Sequence, residues 1–261
     1  MTKVFLSAGH GGSDPGAVAY GLKEKTINLN IMLACRDELK RHGVTVVCSR
    51  TKDENDPVGE EVREANKSGA DVAASFHSNG GKGDGSESYY YPTSKAGKKL
   101  AELCEKHVKA IGQNSRGVKT KNLAFVRDTK MVAVLCECAF VDNNKDNDII
   151  DTVAEQKKFG VAYAKAILEY LGIKYKNSGS TVSKPAKPKP KPSNKSFLVK
   201  VKVPDLTIRA GAGMNHKAVG HIKDRGTYTI VAVKYNGKTP WGKLKSGAGY
   251  ISLHSKYVER L

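Results

Sequence analysis

Three titratable side chains stand where the chain leaves an apolar run. His10 follows Val4–Ala8 in Ser7-Ala8-Gly9-His10-Gly11-Gly12, and His77 follows Val72–Phe76 in Ser75-Phe76-His77-Ser78-Asn79. Glu137 lies at the end of Val132–Cys138. If these runs are strands of an open parallel sheet, their carboxyl ends line the ligand crevice, and the three groups converge on one cleft. Two histidines and a glutamate are a known donor set for catalytic zinc, with water in the open fourth position. A positioned carboxylate is also a general acid or base. No compact motif such as His-Glu-x-x-His is present, so the site must be assembled from distant segments.

Glu137 sits in an apolar run whose side chains alternate faces: Val134, Cys136 and Cys138 share one side, Leu135 and Glu137 the other. A carboxylate there is costly to bury without a partner or a task. It either closes a structural ion pair or serves as an acid/base group. Glu24 opens the next helical pattern, where an acid suits the helix dipole. However, Glu24, Ile27, Ile31 and Cys35 fall on one helix stripe, which places Glu24 at the head of the buried face. Both readings of Glu24 stand at this point. His42, His107, His216, His221 and His254 are read as surface or packing residues. The five cysteines all precede residue 139, an odd number without a disulfide pattern, and are read as buried free thiols.

The elements that must hold these groups alternate. Strands are predicted at Val4–Ala8, Thr45–Cys48, Val72–Phe76 and Val132–Cys138, with Ser86–Tyr91 nearer an edge; helices are predicted at Glu24–His42, Lys95–Ile111 and Thr152–Leu171. Strand–helix alternation with strands apolar on both faces predicts an α/β fold, a twisted, mostly parallel sheet flanked by helices. After residue 196 short alternating runs separated by Gly, Asp and Asn turns predict a small all-β barrel. The domain reading is a catalytic domain over 1–175, a Pro/Lys-rich linker over 176–196 and a small β domain over 197–261. In the linker, Lys184-Pro185-Ala186-Lys187-Pro188-Lys189-Pro190-Lys191-Pro192 predicts an extended spacer.

Charge is unevenly spread. The chain of 261 residues carries 44 Lys+Arg against 26 Asp+Glu, a formal +18. Residues 1–175 hold 26 basic and 23 acidic groups (net +3), the linker 6 and none (+6), and residues 197–261 hold 12 and 3 (+9). Such a field attracts a polyanion: nucleic acid, anionic lipid or the anionic polymers of a bacterial wall. The N-terminal residues run directly into a strand with no apolar region suited to a signal peptide, and no stretch approaches the ~20 apolar residues of a membrane helix. The expectation is a protein made in the host cytoplasm without a signal peptide.

Residues 3–172 resemble the catalytic domain of the zinc N-acetylmuramoyl-L-alanine amidase 3 family. The matching stretches are Ala8-Gly9-His10-Gly11-Gly12-Ser13-Asp14-Pro15-Gly16-Ala17, Leu22-Lys23-Glu24-Lys25-Thr26-Ile27-Asn28-Leu29, Ser75-Phe76-His77-Ser78-Asn79 and Leu135-Cys136-Glu137-Cys138-Ala139-Phe140. The resemblance implies zinc on His10, Glu24 and His77, Glu137 as the acid/base group, and hydrolysis of the amide between N-acetylmuramic acid and L-alanine of the stem peptide. Asn28 and Asn79 would orient ligands or hold substrate. Residues 197–261 resemble a bacterial SH3-type wall-binding domain through Leu206-Thr207-Ile208-Arg209-Ala210-Gly211-Ala212-Gly213, Trp241-Gly242-Lys243-Leu244 and Gly249-Tyr250-Ile251. Together they are similar to phage or prophage endolysins of Gram-positive hosts. Peptidoglycan is then the substrate and wall polymers the ligand of the β domain, with no nucleic acid and no stable membrane association. The enzyme would reach the wall after membrane permeabilisation. The competing readings are a mother-cell autolysin, a zinc peptidase of the stem, and a non-catalytic basic binding protein.

Overall fold

The computed structural model describes residues 2–177, 196–214, 216–236 and 239–261. Apart from residues 176, 177 and 196, the segment predicted as linker lies outside them. The chain divides into two compact units, Met1–Asn177 and Ser178–Leu261.

In chain order the first unit contains β1 (Lys3–Ala8), β2 (Val18–Ala19), β3 (Leu22–Lys23), α1 (Glu24–Arg41), β4 (Thr45–Cys48), α2 (Val58–Ser68), β5 (Val72–Asn79), β6 (Ser86–Tyr90), α3 (Lys95–Lys109), β7 (Ser115–Thr120), α4 (Ala124–Asp128), β8 (Val132–Phe140), α5 (Asn144–Ile150) and α6 (Val153–Tyr170). Six strands form one sheet in the order β4-β1-β5-β8-β6-β7. The first four run parallel, whereas β6 is antiparallel to β8 and parallel to β7. The sheet is therefore mixed and mostly parallel. Ser86–Tyr90 lies one strand in from the edge, because β7 completes the sheet outside it.

Strand alternation sorts the core. Val4, Leu6, Ala8, Val72, Ala74, Phe76, Val134, Cys136 and Cys138 pack beneath α1, α3 and α6 in one apolar cluster. Phe5, Ala73, Ala133 and Leu135 face the other way, against Ala65 of α2 and Phe125 and Val126 of α4. Each fully buried aliphatic or aromatic side chain contributes about 1.5–3 kcal/mol by leaving water. The two faces are covered unequally, by three long helices on one side and by an eleven-residue and a five-residue helix on the other. Helix starts are chemically explicit: Ser94 accepts from the Gly97 amide at 2.9 Å and Thr152 from the Glu155 amide at 3.2 Å. Four of the five cysteines are buried and Cys48 is half-buried, all as free thiols.

The second unit contains β9 (Phe197–Val201), β10 (Leu206–Arg209), β11 (Ala218–Ile222), β12 (Thr227–Asn236), β13 (Thr239–Leu244), β14 (Tyr250–Ser252) and β15 (Val258–Arg260), joined as one antiparallel sheet in the order β11-β10-β14-β13-β12-β9-β15. Val199, Val201, Leu206, Ile208, Ile222, Ile230, Leu244, Ile251 and Val258 form its own core. Trp241 and Tyr250 are buried, and Arg209 donates through Nη1 to the carbonyls of Met214 and His216, pinning the β10–β11 turn. No helix among the described residues is long and apolar enough to cross a membrane.

Candidate functional site

The chain passes from β1 through α1 to β4 on one side, then returns to place β5 on the other. The strand order reverses between β1 and β5, and the carboxyl ends of strands at such a point open onto a crevice. His10 lies just beyond β1 and His77 near the end of β5. Their rings meet edge to face with centroids 5.1 Å apart.

Glu24 completes the group. It is buried in the first turn of α1, and its side chain turns inward to accept hydrogen bonds. The Ala17 amide donates to Oε2 at 2.8 Å; the Ser78 amide donates to Oε1 at 3.0 Å, and Asn28 Nδ2 at 3.3 Å. His77 Nδ1 lies 3.1 Å and His10 Nε2 3.2 Å from the same Oε1. Glu24 thus heads the buried stripe and lies against both histidines. Ligand atoms of His10, Glu24 and His77 all lie within 4.8 Å of one another.

The electrostatics call for a cation. Burial pushes the Glu24 carboxyl up, but hydrogen bonds from His10 and His77 outweigh it and hold the group well below the usual carboxylate range. His10 is raised to about 9, chiefly by its hydrogen bond to Glu24, with burial opposing and Asp14 assisting. Two imidazoles and a carboxylate at this spacing fit zinc or a similar divalent ion.

The loops around the cluster are held closely. Asp14 Oδ2 is 2.8 Å from His10 Nδ1, which leaves Nε2 toward Glu24. His10 itself has φ 66°, a left-handed conformation uncommon outside glycine. Arg50 donates to the carbonyl of Ala8 at 2.9 Å and to that of Lys25 at 2.8 Å, tying the end of β1 to α1. A Cβ at Gly9 would stand 2.0 Å from His77 Cε1, so the ring packs directly on that backbone. Asn28 also donates to the Gly9 carbonyl at 3.0 Å and accepts from Ser78 Oγ at 3.0 Å.

Glu137 lies beside this group. It pairs in register with His77 across β5–β8 and with Glu87 across β8–β6, so His77, Glu137 and Glu87 form one row on one face. Its Oε2 is buried without a hydrogen-bond partner. Burial pushes the Glu137 carboxyl up to about 7, with His77 opposing and Glu24 and Glu87 adding to the rise. Asn79 donates to Glu87 at 3.0 Å and touches no member of the His–Glu–His cluster through a hydrogen bond.

Sequence reasoning passed over Asp14, Arg50 and Glu87. Asp14 stood in a stretch already singled out, four residues after His10. Arg50 and Glu87 gave no local signal, because their partners are remote backbone carbonyls and side chains on β7.

Residues 4–169 match the amidase 3 family model, described as N-acetylmuramoyl-L-alanine amidase. The endolysin of Bacillus phage SPP1 is 36% identical over 270 residues, covering 98% of this chain and 97% of its own length. The sporulation-specific N-acetylmuramoyl-L-alanine amidase of Bacillus subtilis is 36% identical over 182 residues, 68% of this chain and 71% of that protein. Among solved structures, the catalytic domain of CwlV, an N-acetylmuramoyl-L-alanine amidase from Bacillus (Paenibacillus) polymyxa var. colistinus, superposes with a TM-score of 0.63 at 32% identity, covering 67% of this chain and all of that domain. The chain belongs to the N-acetylmuramoyl-L-alanine amidase family and is an amidase of that class.

Proposed function

We propose that the chain hydrolyses the amide between the lactyl group of N-acetylmuramic acid and L-alanine of the peptidoglycan stem, using zinc held by His10, Glu24 and His77 and Glu137 as acid and base. The observation that carries this reading is the convergence of three ligand atoms within 4.8 Å beside a half-buried carboxylate with one buried, unpartnered oxygen. When bound, zinc supplies Lewis-acid polarisation of the scissile carbonyl and makes water acidic enough to lose a proton near neutral pH. Glu137 takes that proton from the attacking water and returns it to the departing alanine nitrogen, so it is restored at the end of the cycle. A carboxyl poised near neutrality is suited to both halves of the transfer. Asp14 holds His10 in one tautomer, and Asn28 fixes the Glu24 carboxylate and the Gly9 backbone together.

The second unit acts as an SH3-type wall-binding module in this reading. Its net +9 draws it to anionic walls. The physiological role is that of a phage or prophage endolysin of a Gram-positive host. Similarity to the phage endolysin spans nearly the whole chain, whereas that to the sporulation amidase spans about two thirds. That contrast favours the endolysin over the autolysin.

Mass spectrometry of digested Gram-positive walls tests the chemistry. Whole stem peptides with a free alanine amino group are expected, while peptides cut internally would replace the amidase reading with a peptidase. Tagged residues 197–261 are expected to stain walls without lysing them and to prefer walls over DNA. Preference for DNA would sink the wall-binding assignment.

A further inference from the structure

Glu87 is a buried charge that the hydrolysis leaves unused. It stands one strand beyond Glu137 in the row across the sheet and is 4% exposed. Four side chains converge on it. Asn79 Nδ2 at 3.0 Å and the Tyr89 hydroxyl at 2.6 Å donate to Oε1. Arg116 Nε at 2.6 Å and the Lys119 ammonium both donate to Oε2. Burial alone would raise this carboxyl, yet Lys119, Tyr89 and Arg116 hold it down to about 2. It is therefore ionised, and it holds two cations, Arg116 and Lys119, on a single carboxylate.

Arg116 is only partly used. It engages Glu87 through Nε, and among the described residues none accepts a hydrogen bond from either of its Nη groups. Its guanidinium lies 5.2 Å from the centroid of the Phe140 ring, and its side chain is 40% exposed. A guanidinium fixed at Nε by a buried carboxylate and seated against an aromatic ring is a preformed two-pronged donor. Such a group suits the planar geometry of a carboxylate.

Position selects the ligand. Neighbouring strands lie about 4.8 Å apart, so two strand steps put Glu87 about 10 Å from His77. An extended peptide spans about 3.3–3.6 Å per residue. Two residues and a side chain beyond the scissile carbonyl therefore reach Arg116.

We propose that Arg116, with Lys119 beside it on Glu87, forms a carboxylate-binding subsite for an acid group carried about two residues beyond the scissile bond of the stem peptide. The peptide then lies over β6 and β7. This inference rests on the amidase reading, and its test separates the two.

The full-length enzyme is given soluble muramoyl peptides identical except that the second-residue carboxyl is free in one and amidated in the other. A third peptide, amidated only at its C-terminus, distinguishes the terminal carboxylate as the source. The native enzyme is expected to favour the free second-residue acid by about tenfold or more in kcat/KM, expressed in KM, as loss of one charge-assisted bidentate contact implies. Arg116→Gln should bring the acid-to-amide ratio close to one, and Arg116→Lys should restore part of it. Thermal melting accompanies each variant, and if Arg116→Gln does not fold, Lys119→Gln supplies the same ratio. An unchanged ratio in folded variants overturns the subsite, as does equal loss on both substrates, which would make Arg116 a prop for Glu87. No acid preference in the native enzyme also overturns it, and dependence on the C-terminal carboxylate moves the subsite to another residue. Failure of the amidase reading looks different: the native enzyme then frees no alanine amino group from any of the three.

Discussion

At the α1 end of the cleft Glu24 accepts from two backbone amides, an asparagine and two histidines, and is held ionised. At the β8 end Glu137 is half-buried, with its Oε2 hidden from water and without a partner, and burial raises it to about 7. The same side chain in one crevice thus acquires two characters. Donors supplied from the surrounding backbone make a permanent anion suited to holding a cation. Withholding them makes a proton carrier. Burial by itself does not assign a role; the count of donors does.

The sharpest way to break this contrast is to substitute each glutamate in turn. Glu24→Gln, like His77→Ala, is expected to lose both bound zinc and all lysis, measured by metal content and wall turbidity. Chelation of the native protein should do the same, and added zinc should reverse it only in the native protein. Glu137→Gln should retain near-stoichiometric zinc while lysis falls by about 10²–10⁴-fold. Loss of metal in that variant would erase the distinction and make Glu137 a ligand.

Smaller effects sharpen the comparison. Asp14→Asn leaves all four residues in place but weakens the hold on His10 Nδ1, and zinc affinity should drop by about 10–100-fold in a competition titration. A pH series on the metal-free protein gives the last test. Glu137 has its folded pKa raised above the unfolded value, so its favourable contribution is fully present at acid pH and is lost as pH rises through about 7. Native stability, followed by urea unfolding, should therefore decline between about pH 4.5 and 7 more steeply than that of Glu137→Gln. Parallel curves would show that Glu137 titrates as it does in the unfolded chain.

Much of this contrast was legible before the structure. His10 could be placed because an apolar run meets glycine at the end of β1, His77 and Glu137 because each is a polar residue late in an apolar run, although β5 and β8 continue past them to Asn79 and Phe140, and Glu24 because helical spacing put it at the head of a buried stripe. The long helices agree to within two residues at each end, since their periodicity and caps are local. The first unit's α2, α4, α5 and β7 were not anticipated, nor were β11 and β15 of the second. α4 is five residues long, and β7, Ser115–Thr120, lies at an edge where half-exposed residues carry no clear alternation. The reversed direction of β6 was also hidden, because strand polarity is decided by partners rather than by composition. The hub at Glu87 went unseen for the same reason: Asn79, Tyr89, Arg116 and Lys119 meet only after the four strands β5, β8, β6 and β7 have paired.

The row from His77 through Glu137 to Glu87 has a further meaning for how the molecule is checked. Its members come from strands remote in sequence, joined by pairings that form slowly. Sliding β8 by one residue would turn Glu137 into the apolar cluster beneath α1 and α6 and offer Cys136 or Cys138 to the cleft. Helix content would scarcely change. Catalysis would vanish, however, so turnover per milligram is a proofreading signal: in a refolded batch it counts only the molecules whose strands have found their correct partners.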